Sequence, residues 1–303
     1  MEEEQIEKIR KRKFLFGLLD FIRVKVLRIL SDKAYIKLMF RIRVGHRLNL
    51  KNPQSFNEKL QWLKLYDRKD IYTDMVDKYK VREIIKERIG EEYLIPLLGV
   101  YDHFNDINFD KLPNQFVIKC NHDSGSVVIC KDKKTFDYDV AKEKIEKALK
   151  RDYYLNGREW PYKNVERKIV VEEYIHGLDD ADVRDYKFFM FNGKLAYILV
   201  CSDRFKSLKF TFFDKNIKFM NCRQSNAEYD KSIKLPKNYK KMIELAEKLS
   251  EGTIQVRVDF YNIEGKIYFG ELTFFDSSGY AKFTPEEWDY KLGKMLKLPI
   301  NKK

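Results

Sequence analysis

In the stretch RVDFYNIEGKIYFGELTF, Arg257 and Asp259 lie two residues apart, and so do Glu271 and Thr273. Residues two apart in an extended chain point to the same face. The Glu264-Gly265 step between the two apolar runs predicts a hairpin turn. Asp259 and Glu271 then converge from adjacent strands as hard oxygen donors. Two carboxylates without a closed cage of further ligands suit Mg²⁺ that completes its shell on nucleotide phosphates. The same residues also describe a polar cross-strand face on a solvated hairpin, so both readings stand at this point.

A second candidate is FVIKCNHDSGSVVIC, in which two apolar runs flank NHDSGS and Lys119 sits just before the polar segment. It reads either as a hairpin with a surface turn or as a flap over phosphates. In the second reading the backbone N–H groups of Ser124-Gly125-Ser126 face anionic oxygens. In VVEEYI, Glu172 and Glu173 follow a β-branched run. Acids there accept hydrogen bonds from an amino group or ribose hydroxyls, or simply face solvent. DYKFFMFNGK puts Asp185 and Lys187 on one strand face, and Arg204 follows the next strand in CSDR. Lys119, Lys187, Arg204 and Arg257 thus interleave with Glu172, Asp185, Asp259 and Glu271. Such interleaving suits a Mg²⁺-nucleotide site better than random surface charge.

These residues need a scaffold, and 303 residues at 44% hydrophobic and 15% aromatic content supply one. The net charge of +13 implies anionic company: an acidic polymer, phosphorylated ligands or a membrane surface. An aromatic–basic RNA signature is missing, so nucleic acid is not expected. The four cysteines form no CxxC pair, which predicts neither a zinc site nor a disulfide framework and places the chain in a reducing, cytoplasmic compartment. MEEEQIEKIRKRK opens on acids, unlike a secretory signal. FLFGLLDFIRVKVLRIL is interrupted by Asp20, Arg23, Lys25 and Arg28 and is not expected to span a bilayer. At helical spacing it has an apolar and a basic face. Residues 10–30 therefore read as a peripheral contact at the inner face of the cell membrane, or equally as a helix docked on its own protein.

Three regions are expected: a basic amphipathic helical segment over 1–45, a mostly helical region over 46–112, and a catalytic region over 113–303. In LNLKNPQSFNEKLQWLKLYDR, Asn52-Pro53 makes a turn and Ser55 caps a helix with Glu58 three residues on. Phe56, Leu60, Leu63 and Leu65 form its apolar stripe. DMVDKYKVREIIKERIG predicts one helix ending on Gly90. Turn-rich DHFNDINFDKLPN then precedes a change to strands. FVIKC pairs with SVVIC, TFDYDVAKEKIEKALKRDYY holds a helix, and KIVVEEYI is a buried strand. DYKFFMF and KLAYILVCS turn on Asn192-Gly193, and a helix in NYKKMIELAEKLS precedes the last hairpin. The class is α+β, antiparallel sheets with flanking helices behind a helical N-terminal region.

In this order the elements resemble the ATP-grasp fold. The wording of NPQSFNEKLQWLKLYDR, DKYKVREII, IKCNHDSGS, DYKFFMFNGK and RVDFYNIEGKIYFGELTF resembles its TupA-like branch, associated with teichuronopeptide biosynthesis. The resemblance implies an ADP-forming carboxylate–amine ligase using ATP and Mg²⁺ on a cell-envelope or capsular polysaccharide or its precursor. An acidic or lipid-linked glycan and an amine donor, such as an amino acid, would be its partners. It implies that Lys119 holds the α/β-phosphates and that Ser124, Gly125 and Ser126 close over the β/γ end. Glu172 with the backbone from Glu173 to Ile175 would read adenine, and Asp185 the ribose. Asp259 and Glu271 would hold the metal, Arg257 would stabilise the acyl-phosphate and tetrahedral intermediate, and Lys187 and Arg204 would neutralise transferred phosphate. Thr273 departs from the pattern, which has Asn there. Two alternatives remain open: a glycosyltransferase using a nucleotide-sugar through Asp180-Ala181-Asp182, and a non-catalytic binder of acidic polymer.

Overall fold

The computed structural model describes residues 27–175, 184–203 and 207–300. Helix α1 (Asp32–Val44) begins at Ser31, whose hydroxyl accepts the Ala34 N–H, and stops at Gly45, where φ is +102°. Helix α2 (Phe56–Tyr66) carries the predicted capping box: Ser55 Oγ accepts the Glu58 N–H at 3.2 Å and Glu58 accepts the Ser55 N–H at 3.2 Å. Glu58 also takes the N–H groups of Asn49 and Gln54, which ties the incoming chain to the cap. Phe56, Leu60 and Leu63 are buried as expected, but Leu65 is only half-buried and Lys64 is fully enclosed instead.

The single helix expected after residue 74 is two helices, α3 (Ile71–Val76) and α4 (Val81–Arg88). Asp77 is the cause. Its Oδ1 accepts the N–H groups of Tyr79 (2.8 Å) and Lys80 (3.3 Å), so a side chain replaces the helical carbonyl partner and starts a new turn. Gly90 ends α4 at a φ of +118°.

Two antiparallel sheets follow. The first runs β1 (Leu97–Tyr101), β4 (Ile169–Glu173), β2 (Phe116–Cys120), β3 (Val128–Cys130), and helix α5 (Tyr138–Leu149) lays Ala141, Ile145 and Ala148 into one core with Phe116, Ile118 and Val171. The predicted β2–β3 hairpin is present in the register Phe116↔Cys130 to Ile118↔Val128.

The second sheet runs β11 (Lys266–Thr273), β10 (Gln255–Ile263), β5 (Asp185–Phe191), β6 (Lys194–Ser202), β7 (Lys209–Asp214), β8 (Phe219–Met220). Both predicted two-residue turns have positive φ at each residue, 51° and 78° at Asn192-Gly193 and 51° and 88° at Glu264-Gly265. That geometry matches the right-handed twist of the flanking strands. Helix α6 (Tyr239–Leu249) lays Met242, Leu245 and Leu249 on the main core with Phe188, Val258 and Phe260. Each such fully buried side chain contributes about 1.5–3 kcal/mol. A two-stranded pair, β9 (Arg223–Gln224) with β12 (Phe283–Thr284), and helix α7 (Glu287–Met295) complete the chain. Among the described residues no helix is long and apolar enough to cross a membrane.

Candidate active site

Of the charged residues singled out in the sequence, Lys119, Glu172 and Glu271 line one cleft between the two sheets. Lys119 and Glu172 come from the first sheet and Phe269–Leu272 from the second, while Lys78 and Arg82 close the side at the start of α4.

On the first sheet, Glu172 pairs with Val117 across β4 and β2, so Lys119, two residues on, emerges on the same face. Lys119 Nζ lies 2.5 Å from Glu172 Oε2, and Arg82 Nη1 is 3.3 Å from Oε1. Arg82 is fixed in turn by donating to the Ile95 carbonyl at 2.9 Å. One buried carboxylate therefore orients two cations toward the cleft. The neighbouring Glu173 N–H donates to the Pro96 carbonyl at 3.0 Å, and its side chain is exposed. Ile175 is half-buried beyond the strand end.

The NHDSGS loop is tied down at its base. Ser126 is buried, accepting the Cys120 N–H at 2.9 Å and donating to Asp123 Oδ1 at 2.5 Å. Asp123 also accepts from Arg151 at 2.8 Å. Ser124 and Gly125 form the exposed tip, and Gly125 adopts a φ of +97° that favours glycine. Ser126 is thus the fastener of the loop, whereas Ser124 and Gly125 stay exposed at its tip, where they share a pocket with Lys144, Lys147 and Arg151. Lys78 Nζ donates to the Asp123 carbonyl from the cleft side. Burial pulls the Lys78 pKa down; Glu271 opposes that shift and Lys119 adds to it. Loop base, Lys119 and Glu271 are therefore mutual neighbours.

On the second sheet, Asp259 stands opposite Glu271 on one side and Lys187 on the other, and Arg257 stands opposite Thr273. Arg257 donates twice to Asp259 (2.7 Å each), to Glu271 (2.8 Å) and to Asp276 (2.5 Å). The same nitrogen, Nη2, touches both Asp259 Oδ2 and Glu271 Oε1, so these oxygens converge on a point where positive charge already sits. Lys187 pairs with Asp259 and lies 3.5 Å from buried Asp185. Burial alone would raise the Asp259 carboxyl; Arg257 and Lys187 outweigh it and hold the pKa below the usual carboxylate range. Lys187, against burial and repulsion from Arg257, is held above its ordinary value by Asp259. Thr273 Oγ1 donates to Glu271 Oε1 at 3.2 Å, orienting the carboxylate whose side chain is the more open, 38% exposed against 7% for Asp259.

Gly270 shapes this edge. The β10–β11 register slips between Asp259↔Glu271 and Phe260↔Phe269, leaving Gly270 as a bulge. A Cβ there would lie 3.1 Å from the Asp259 carbonyl oxygen.

Behind Arg257 lies a turn that the sequence did not point to. Ser277 and Ser278 have φ of 48° and 53°, a costly backbone for residues with a Cβ. It is held from several sides. Asp276 accepts from Gln224 (2.7 Å) as well as Arg257, and Lys64 and Gln61 donate to the Ser278 carbonyl at 2.8 and 3.0 Å. Ser278 Oγ donates to Glu159, whose pKa burial raises. Lys64, enclosed beside it, has its pKa lowered to about 7 by burial.

Lys78, Arg82, Asp276 and Glu159 are the site residues that sequence reasoning missed. Only Lys78 carried a signal: Asp77-Lys78 breaks the apolar spacing before VREII, the pattern of a cap. Arg204, together with Asp180 and Asp182, lies outside the described residues, as does nearly all of the 10–30 segment.

The donor set fits Mg²⁺. Among the described residues no group of three or more His, Cys, Asp or Glu could hold a metal alone. Two convergent carboxylates at the lip of a cationic cleft match an ion that shares its shell with phosphates and water. Asp259 and Glu271 would hold it.

A cleft between two antiparallel sheets, with Lys78, Arg82 and Lys119 on one side and Glu271 on the other, accords with an ATP-grasp enzyme, a class of ATP- and Mg²⁺-dependent ligases. The family described as TupA-like ATP-grasp matches residues 58–297, and the chain belongs to it. Among solved structures it is similar to the D-alanine–D-alanine ligase of Helicobacter pylori (16% identity, 80% of this chain and 70% of that one, TM-score 0.44). It is also similar to the L-amino acid ligase of Bacillus licheniformis (15% identity, 84% and 57%, TM-score 0.45). A third is the D-alanine–D-alanine ligase of Bacillus anthracis complexed with ATP (18%, 73% and 63%, TM-score 0.42). No curated protein matches the sequence.

Proposed function

We propose that the protein joins a carboxylate to an amine through an acyl-phosphate, with an acidic cell-envelope glycan or its lipid-linked precursor supplying the carboxylate and an amino acid supplying the amine. The observation that carries this reading is the convergence of Asp259 and Glu271 on Arg257 at the cleft that Lys119 enters from the opposite sheet. Lys119 and Lys78 take the phosphate oxygens, released in part from Glu172 and the Asp123 carbonyl. Ser124 and Gly125 lie over the terminal phosphate, and Asp185 meets the ribose. Magnesium, when bound, neutralises charge on the transferred phosphoryl group.

In the first step the substrate carboxylate oxygen attacks the γ-phosphorus, the bond to the β-phosphate oxygen breaks, and ADP leaves. In the second, a neutral amine attacks the acyl carbon, the carbon–oxygen bond to phosphate breaks, and inorganic phosphate departs with the proton that the nitrogen loses. Arg257 and Lys187 neutralise the oxyanions of both steps from fixed, water-poor positions, which is where most of such catalysis originates. The net charge of +13 supports an acidic acceptor.

Hydroxylamine tests the reading. With ATP, Mg²⁺ and a panel of uronic-acid oligosaccharides, a productive acid gives a hydroxamate and one ADP per hydroxamate formed. ADP release without hydroxamate from any carboxylate would refute the acyl-phosphate route.

A further inference from the structure

We infer that helix α1 is a docking face for an anionic lipid bilayer. One side of the helix is committed to the fold: Tyr35, Ile36, Met39 and Phe40 are buried, and Phe40 packs against Tyr280 with ring centroids 6.5 Å apart. Tyr35 donates to the Asn156 carbonyl at 3.1 Å, and Asp32 pairs with Arg68 at 2.8 Å. The opposite side is amphipathic on its own account. Leu38 is 39% exposed and Ile42 65%, one helical turn apart, and Ile29 just ahead of the helix is 84% exposed. Beside that apolar stripe runs a second one of Lys33, Lys37 and Arg41 at the same four-residue spacing, all exposed.

Charge selects the occupant. From residue 28 to residue 57 the sequence holds seven Lys or Arg and one acid, Asp32, and that acid is already engaged by Arg68 and Tyr154. A second copy of this face would bring cation against cation. Nucleic acid would leave Ile29, Leu38 and Ile42 without a partner. An anionic bilayer satisfies both stripes at once, the apolar side chains entering the headgroup–acyl boundary and the cations meeting lipid phosphates. Tyr280, clamped by the inner face, lies four residues beyond Asp276, the partner of Arg257. The inference stands on the surface alone and does not depend on the reaction proposed above.

Flotation of the full chain with vesicles of phosphatidylcholine, and of phosphatidylcholine mixed equally with phosphatidylglycerol, tests it. Binding is expected only to the mixed vesicles, falling as salt rises. Lys37→Gln/Arg41→Gln should weaken partitioning about thirtyfold, from roughly 1 kcal/mol per surface cation, and Leu38→Glu/Ile42→Glu should abolish it. Melting temperature and ATP affinity should stay at wild-type values, since all four positions are exposed. Binding unchanged in both double variants would assign it to another segment and overturn the inference, as would no binding to either vesicle. Self-association lost in Leu38→Glu/Ile42→Glu by sedimentation equilibrium would overturn it in favour of a second copy.

Discussion

Replacing Arg257 by Ala removes the one guanidinium that touches Asp259, Glu271 and Asp276 together. Asp259 and Asp276 are buried, and of the two Asp259 retains Lys187. Breaking a buried pair by deleting one partner costs about 3–5 kcal/mol, because the remaining charge loses its compensation but not its desolvation. For 303 residues, whose unfolding entropy is about 0.6 kcal/mol/K, that is a fall in Tm of about 5–8 °C at neutral pH. The pH dependence follows from sign. In the wild type Asp259 is held below its ordinary pKa, so its ionised form stabilises the fold above about pH 4 and that contribution is lost as pH falls through the folded value. Without Arg257, burial pushes the carboxyl upward, so the deficit is full at pH 7 and shrinks toward pH 4, where the variant's folded carboxyl has taken up its proton and no longer suffers as an unpaired buried charge. Denaturant unfolding of both proteins at several pH values measures the difference. A deficit that stays constant between pH 7 and pH 4 would refute the reasoning.

Glu271→Gln keeps the shape of the more open carboxylate and removes its charge, so ADP release should fall about a hundredfold or more while stability shifts by less than about 1 kcal/mol. Gly270→Ala should cost about 1–3 kcal/mol in urea unfolding, since the new methyl meets the Asp259 carbonyl oxygen at 3.1 Å; it should also weaken Mg²⁺-dependent ATP binding by displacing Glu271. Lys64 has a folded pKa of about 7, below its unfolded value, so between about pH 7 and pH 10 the unfolded chain binds more protons and stability rises with pH. In Lys64→Met that slope should vanish from the stability-versus-pH curve.

What depends on local spacing was legible in the sequence. The I′ turns at Asn192-Gly193 and Glu264-Gly265 set the registers of β5–β6 and β10–β11 beside the loops, but the turn alone would place Asp259 opposite Gly270; the bulge at Gly270 brings Glu271 opposite Asp259, and the sequence did not reveal it. The Ser55–Glu58 cap is local in the same sense. Partners contributed from distant segments were not legible. Glu172, an adenine contact by resemblance, also receives Lys119 and Arg82 from other elements, the latter 90 residues away in the chain. Ser126 sits in a flap sequence, yet Asp123 and the Cys120 N–H draw its hydroxyl inward. Lys64 interrupts an apolar stripe and is buried all the same, because carbonyls of Gly157 and Ser278 converge on it. The strands β1 and β7–β9 carried no expectation: β1 and β8 lie at sheet edges, β8 and β9 are two residues each, and β7 is placed between β6 and β8 by its neighbours rather than by its own pattern.

In the proposed function Lys119 and its loop serve ATP. Calorimetric titration of ATP with Mg²⁺, set beside a UDP-sugar with Mg²⁺ or Mn²⁺, into wild type and Lys119→Ala tests it most directly. ATP should bind and lose about tenfold or more in the variant, the worth of one charge-assisted hydrogen bond to phosphate, while the UDP-sugar gives no heat. ATP affinity indifferent to Lys119, or UDP-sugar binding in its place, would contradict the account.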